Sequence, residues 1–83
     1  MVKNVYSIKD NKSGVFGYPI VGDNLSMVRY LRLRVAKDDI IQQFPDDFTC
    51  YEIGTYDDET GYLSSRVPAL RFNLSDFVKK VEE

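Results

Sequence analysis

The 83-residue chain has no histidine, no tryptophan and a single cysteine. Without histidine it lacks the commonest general base and metal ligand near neutral pH. One cysteine excludes an internal disulfide and fits a reducing compartment. Cys50 sits in a β-prone stretch with neither a histidine partner nor a helix N-terminus to acidify it, so it reads as a small buried hydrophobe. No run approaches the ~20 apolar residues of a membrane span, and the N-terminus has no signal-peptide pattern. The chain is therefore expected to be soluble and cytoplasmic, without a membrane partner. Walker loops, dinucleotide fingerprints and zinc spacings are also missing. Asp46–Asp47 and Asp57–Asp58–Glu59 are carboxylate clusters in turn-forming stretches, where Asp is expected for local hydrogen bonding. The second, in DDETG, lacks the alternating oxygen ligands and distal Glu of a calcium hand. The expectation is a protein with no enzymatic activity, cofactor or metal.

What is present suits one small domain spanning residues 1–83. Hydrophobic residues make up 43% of the chain and charged residues 29%, which is globular rather than disordered. A core of this size is thin, and small domains often gain stability by oligomerising, so a homodimer is expected. The net charge of −2 conceals a polarity. Residues 1–37 hold seven basic and two acidic residues (+5), and residues 38–83 hold four basic and eleven acidic residues (−7). Either the halves neutralise one another, in the fold or across a dimer, or a local basic face meets a partner.

Two pentapeptides, DNKSG at 10–14 and DDETG at 57–61, each separate β-prone runs. Asp opens such a turn by accepting backbone N–H bonds, and Gly supplies the positive φ that lets the next strand begin. Shared turn chemistry accounts for the echo, with duplication or ligand binding as alternatives. The first hairpin joins Val2–Ile8 to Val15–Val21, with Phe16, Tyr18 and Ile20 on one side and Pro19 marking an edge or bulge. A helix follows from an Asp23 or Asn24 cap, with Met27, Val28, Leu31 and Val35 as its apolar stripe. Asp38 caps a second short helical turn that Pro45 stops. Residues 48–56 and 62–67 form the second hairpin, Pro68 interrupts it, and ALRFNL resumes as a fifth extended piece or as an edge continuation. Ser75 is expected to cap a closing helical turn with Phe77 and Val81 four apart. The resulting fold class is α+β, a β-β-α-β-β order of two hairpins flanking one helix, in a mostly antiparallel sheet. Residues 64–83 carry no clear secondary-structure signal.

The helix holds Arg29, Arg32, Arg34 and Lys37 without an intervening acid. One reading is a solvated helix whose long stems cover the sheet and pair with the acidic half. The other is phosphate contact, with Lys9 and Lys12 contributed by the first hairpin and with Tyr18 and Tyr30 available to stack on an unpaired base. The eleven Tyr and Phe residues support stacking only if several share an open sheet face. A third reading is a protein-binding module that engages another protein through the sheet edge marked by Pro19, or through Tyr30 and Leu33, which lie off the apolar stripe.

VYSIKDNKSGVFGYPIV, followed by the helix and then FPDDFTCYEIGTYDDETG, resembles the small nonstructural protein of gokushoviruses, single-stranded DNA phages of the microvirus group. The resemblance runs from about Val5 to Gly61. It implies a protein outside the virion, in the bacterial host cytoplasm, acting in genome replication or in the switch to packaging single-stranded DNA. It implies no catalytic residues, and it assigns no function to individual residues of the basic helix or the tail.

Overall fold

The computed structural model describes residues 1–78. Five strands form one antiparallel sheet: β1 (Val2–Asp10), β2 (Val15–Phe16), β3 (Ile20–Gly22), β4 (Phe48–Asp57) and β5 (Leu63–Asn73). Across the sheet the order is β2, β1, β4, β5, and β3 continues the β2 row against β1. Helix α1 (Asn24–Lys37) and the short α2 (Asp39–Gln43) lie between the hairpins in sequence, and a 3-10 turn at Pro45–Asp47 leads into β4. The expected α+β class holds, with one expected strand divided in two.

That division changes the register. Lys9 faces Phe16, whereas Tyr6 faces Ile20, so the edge row uses four residues against three of β1. The extra residue falls in Gly17–Pro19, which joins neither strand. A one-residue slip exchanges the faces of a strand. Phe16 and Ile20, expected on one side, therefore lie on opposite sides of the sheet.

Helix α1 begins where the sequence says it should. The Asp23 carboxylate accepts from the Ser26 N–H at 2.8 Å, and the Ser26 hydroxyl accepts from the Asp23 N–H at 3.0 Å. This reciprocal cap satisfies donors that the first turn would otherwise leave unpaired. It also holds the Asp23 carboxyl below its usual pKa, chiefly through the Ser26 backbone bond. Met27, Leu31 and Val35 are buried on the inner stripe, while Leu25 and Leu33 face solvent. Burying one such leucine is worth about 2–3 kcal/mol. Asp38 ends α1 in extended geometry, and its carboxylate accepts from Ile40 and Ile41 to start α2.

The core lies on one side of the sheet, where Tyr6, Ile8 and Cys50 meet Met27, Leu31, Val35, Ile41 and Leu74. Tyr6 donates its hydroxyl to the Asn24 carboxamide at 2.7 Å and accepts from Asn4, so a fully buried polar tip is satisfied. Burial pushes the Cys50 thiol up to about 11.

β5 runs through Pro68 without the expected interruption, so ALRFNL is the edge continuation and not a separate piece. The strand sits at the sheet edge, where a missing N–H costs no ladder bond, and its register against β4 shifts on both sides of Glu52. Glu52 is buried and paired with Arg66 and Arg71 of β5. The C-terminal turn is a 3-10 segment, Leu74–Phe77, that follows Asn73 without a side-chain cap, so Ser75 lies inside it rather than capping it. Val81, its expected partner for Phe77, lies outside the described residues.

Candidate functional site

Two surfaces collect the residues that the sequence singled out. The first is built by α1 and the broken edge row. The helix has no acid of its own, and Arg29, Arg32 and Lys37 are exposed without an ion pair among the described residues. Helical spacing directs these three away from the buried Met27–Leu31–Val35 stripe, with Leu33 among them. Arg34 differs. It lies on the flank, hydrogen-bonds the Tyr30 hydroxyl at 3.3 Å and approaches the Asp38 carboxylate at 3.5 Å. The Tyr30 bond, followed by Asp38, raises the guanidinium pKa above its usual value. The four cations therefore divide into three exposed charges and one tethered to the elbow between α1 and α2.

The Gly17–Pro19 break leaves a groove of about 490 Å³ between the sheet edge and this flank. Tyr18, Tyr30 and Arg34 line it together with Phe48 and Asp38. Tyr18 is 92% exposed because no strand pairing holds it against the sheet. The structure thus brings three of the sequence-predicted residues into one groove. Lys12 stands apart in the first turn, exposed, with its N–H bonded to the Asp10 carboxylate.

Lys9 lies on the second surface, the sheet face opposite the helices. Its ammonium sits 5.4 Å from the Phe16 ring centroid and 5.9 Å from that of Tyr51, and the two rings meet edge-on at 5.5 Å. Cation–π attraction holds the lysine there, half-buried. Sequence reasoning took Lys9 for a phosphate ligand of the first turn and missed Phe16 and Tyr51. The signal was available only through register: Ser7 faces Tyr51, and Lys9, two residues on, faces Phe16.

Ion pairing between the basic and acidic halves is limited. It gathers at the second turn, where the Met1 ammonium lies 2.7 Å from Asp58, 3.4 Å from Glu59 and 3.7 Å from Asp57, and Lys3 reaches Asp58 at 3.5 Å. Arg34 reaches Asp38, while Glu52 takes its two arginines from its own half. No helix among the described residues is long and apolar enough to cross a membrane. The sequence profile of the phage ORF5 protein family matches residues 3–77, covering every element described above. The chain belongs to the phage ORF5 protein family. Nothing among curated proteins or solved structures matches it. As a phage ORF5 protein it is a small phage accessory protein, and both surfaces lie within the part of the chain that defines the family.

Proposed function

We propose that this phage ORF5 protein is a non-enzymatic accessory protein of the gokushovirus kind that binds single-stranded DNA in the host cytoplasm during genome replication or packaging. The observation that carries this reading is α1 itself, a helix without carboxylates: Arg29 and Lys37 stand on its outward face, Arg32 on the flank toward Phe77, and the other flank borders a groove that presents Tyr18, Tyr30 and Arg34. Phosphates would meet the three exposed cations. An unpaired base would stack on Tyr18, whose exposure leaves a ring face accessible. Binding by phosphate neutralisation releases counterions, so affinity must fall with salt, by a log–log slope of roughly 0.7 per contact on a single strand.

The test is a titration with a fluorescent single-stranded oligonucleotide at several salt concentrations. Wild-type protein should bind at about 50 mM salt, and the triple variant Arg29→Ala, Arg32→Ala, Lys37→Ala should lose about two units of slope. Tyr18→Ala should weaken binding without changing the slope. Absence of binding at low salt, or affinity indifferent to salt, would overturn the proposal.

A second reading has its own observation. Leu25 and Leu33 are large apolar side chains exposed on α1. A helix face that mixes exposed leucines with cations also suits an acidic, amphipathic protein partner of host or phage origin. A pull-down that survives nuclease treatment and is lost in Leu33→Ala would favour it over DNA.

A further inference from the structure

The sheet has two faces and the helices cover only one of them. Alternation along β1 sends Tyr6 and Ile8 into the core and Val5, Ser7 and Lys9 to the opposite side. There Val5 lies beside Val21, and Ser7 lies in a row with Tyr51 and Leu70. Phe16 and Ile53 complete an apolar field on a surface that no element of the described chain covers. Val5 is buried there although it is not part of the core cluster, and buried Ser7 donates its hydroxyl to the Gly17 carbonyl at 2.8 Å. Val21 and Leu70 remain 47% and 49% exposed.

We infer that this bare face is the interface of a symmetric homodimer, two copies packing sheet against sheet. The molecule measures 50 × 25 × 17 Å, so its broad face has room for a contact of the roughly 800 Å² per partner that a stable complex buries, with the apolar field inside a polar rim. The thickness fits a sheet with one helical layer, which leaves the second sheet face open. A second copy supplies the missing layer at the ~10 Å spacing of packed sheets. It also enlarges a core that holds nine buried hydrophobic residues among the described residues.

The charge arrangement favours a copy of the same chain. Lys9 and the first turn lie at one end of β1, and the second turn, with Asp57, Asp58 and Glu59, lies at the other end. A twofold axis lying in the plane between the two sheets and perpendicular to the strands separates the two Lys9 side chains and brings each toward the partner's acidic turn. An isologous contact made this way avoids like charges in register. The field is mostly aliphatic, and the Phe16 and Tyr51 rings are engaged with each other and with Lys9. That favours protein packing over stacked bases. In the dimer both cationic α1 faces point outward, on opposite sides of the particle.

Dimerisation does not depend on DNA binding, so its primary readout is the mass of the particle. Sedimentation equilibrium of the full chain at about 100 μM, well above a micromolar dissociation constant, should give twice the 9.6 kDa chain mass. Leu70→Lys and Val21→Lys each alter a half-exposed side chain, so the monomer fold should survive, as circular dichroism would verify. Each should weaken dimerisation at least about tenfold, a loss of roughly 1.4 kcal/mol. Leu33→Lys on the helix face should leave the dimer intact. A monomeric wild type would overturn the inference, as would a dimer broken by Leu33→Lys but not by Leu70→Lys. A monomer whose oligonucleotide affinity is lost in Leu70→Lys would assign the face to nucleic acid instead.

Discussion

The two hairpins start from the same turn and end as different structures. In the first, Gly14 N–H donates to the Asp10 carbonyl at 2.7 Å, and in the second Gly61 does the same to Asp57 at 2.8 Å. In each, the opening Asp carboxylate accepts from the residue two positions on, and the fourth residue's hydroxyl accepts from the N–H two positions beyond it. Both glycines have φ near +76°. After the turns the similarity stops. The first hairpin pairs for two residues, breaks at Gly17–Pro19 and returns one residue out of register. The second runs eleven residues along β4, bending through two irregularities. Turn chemistry therefore starts a hairpin without setting its length. The returning chain makes the difference, through a Gly-Tyr-Pro break that opens a groove in one case and a long strand tied to a buried carboxylate in the other.

The comparison can be broken most forcefully at Gly54. A Cβ there would run into the Ser64 carbonyl oxygen of β5, and backbone cannot move aside as a side chain can. Gly54→Ala should cost about 3 kcal/mol in urea unfolding; a cost below about 1 kcal/mol would mean that the second hairpin is the looser one. Next comes Glu52→Gln, which leaves Arg66 and Arg71 without their shared anion. Breaking a fully buried pair costs about 3–5 kcal/mol, but both guanidiniums reach water, so about 2 kcal/mol is expected. An unchanged urea midpoint would remove the carboxylate from its role in holding β5.

Gly14→Ala and Gly61→Ala sharpen the comparison rather than break it. Each added methyl meets open space, so only the positive φ is penalised, by about 1 kcal/mol at either site. Costs that differ by more than this would show that the matching hydrogen bonds conceal unequal turns. The smallest effect concerns Cys50, which lies opposite Ile8 of the first hairpin and Phe72 of the second. Its thiol ionises near 9 when unfolded and near 11 when folded, because burial disfavours the thiolate. The unfolded chain thus releases that proton first. This contribution is fully present below pH 9 and declines toward pH 11. The stability difference between wild type and Cys50→Ala, followed by urea midpoint over that interval, should shrink as pH rises.

Features set by neighbouring residues were legible in the sequence. Asp23 and Asp38 as caps, the Met27–Leu31–Val35 stripe and the two turn glycines all depend on residues within one helical turn or one tight turn of each other. Features set by distant pairing were not. The slip that parts Phe16 from Ile20 is defined only against β1, and the passage of β5 through Pro68 is defined only against β4. The same limit applied to the candidate site. Helical spacing identified the exposed cations of α1, but nothing near Lys9 in sequence announced that Tyr51 would lie beside it. Arg34 was grouped with the other helix cations, although Asp38, four residues on, ties it down.

Two of the three prolines lie along the rims of the sheet, Pro19 in the gap between β2 and β3 and Pro68 within β5. An incoming extended segment needs an unbroken row of donors and acceptors to zip onto a sheet, and both rims interrupt that row midway. Filament growth by strand addition is therefore blocked from either side, including when the chain is crowded among copies of itself. A protein built this way can associate through its broad faces while remaining unable to polymerise through its margins.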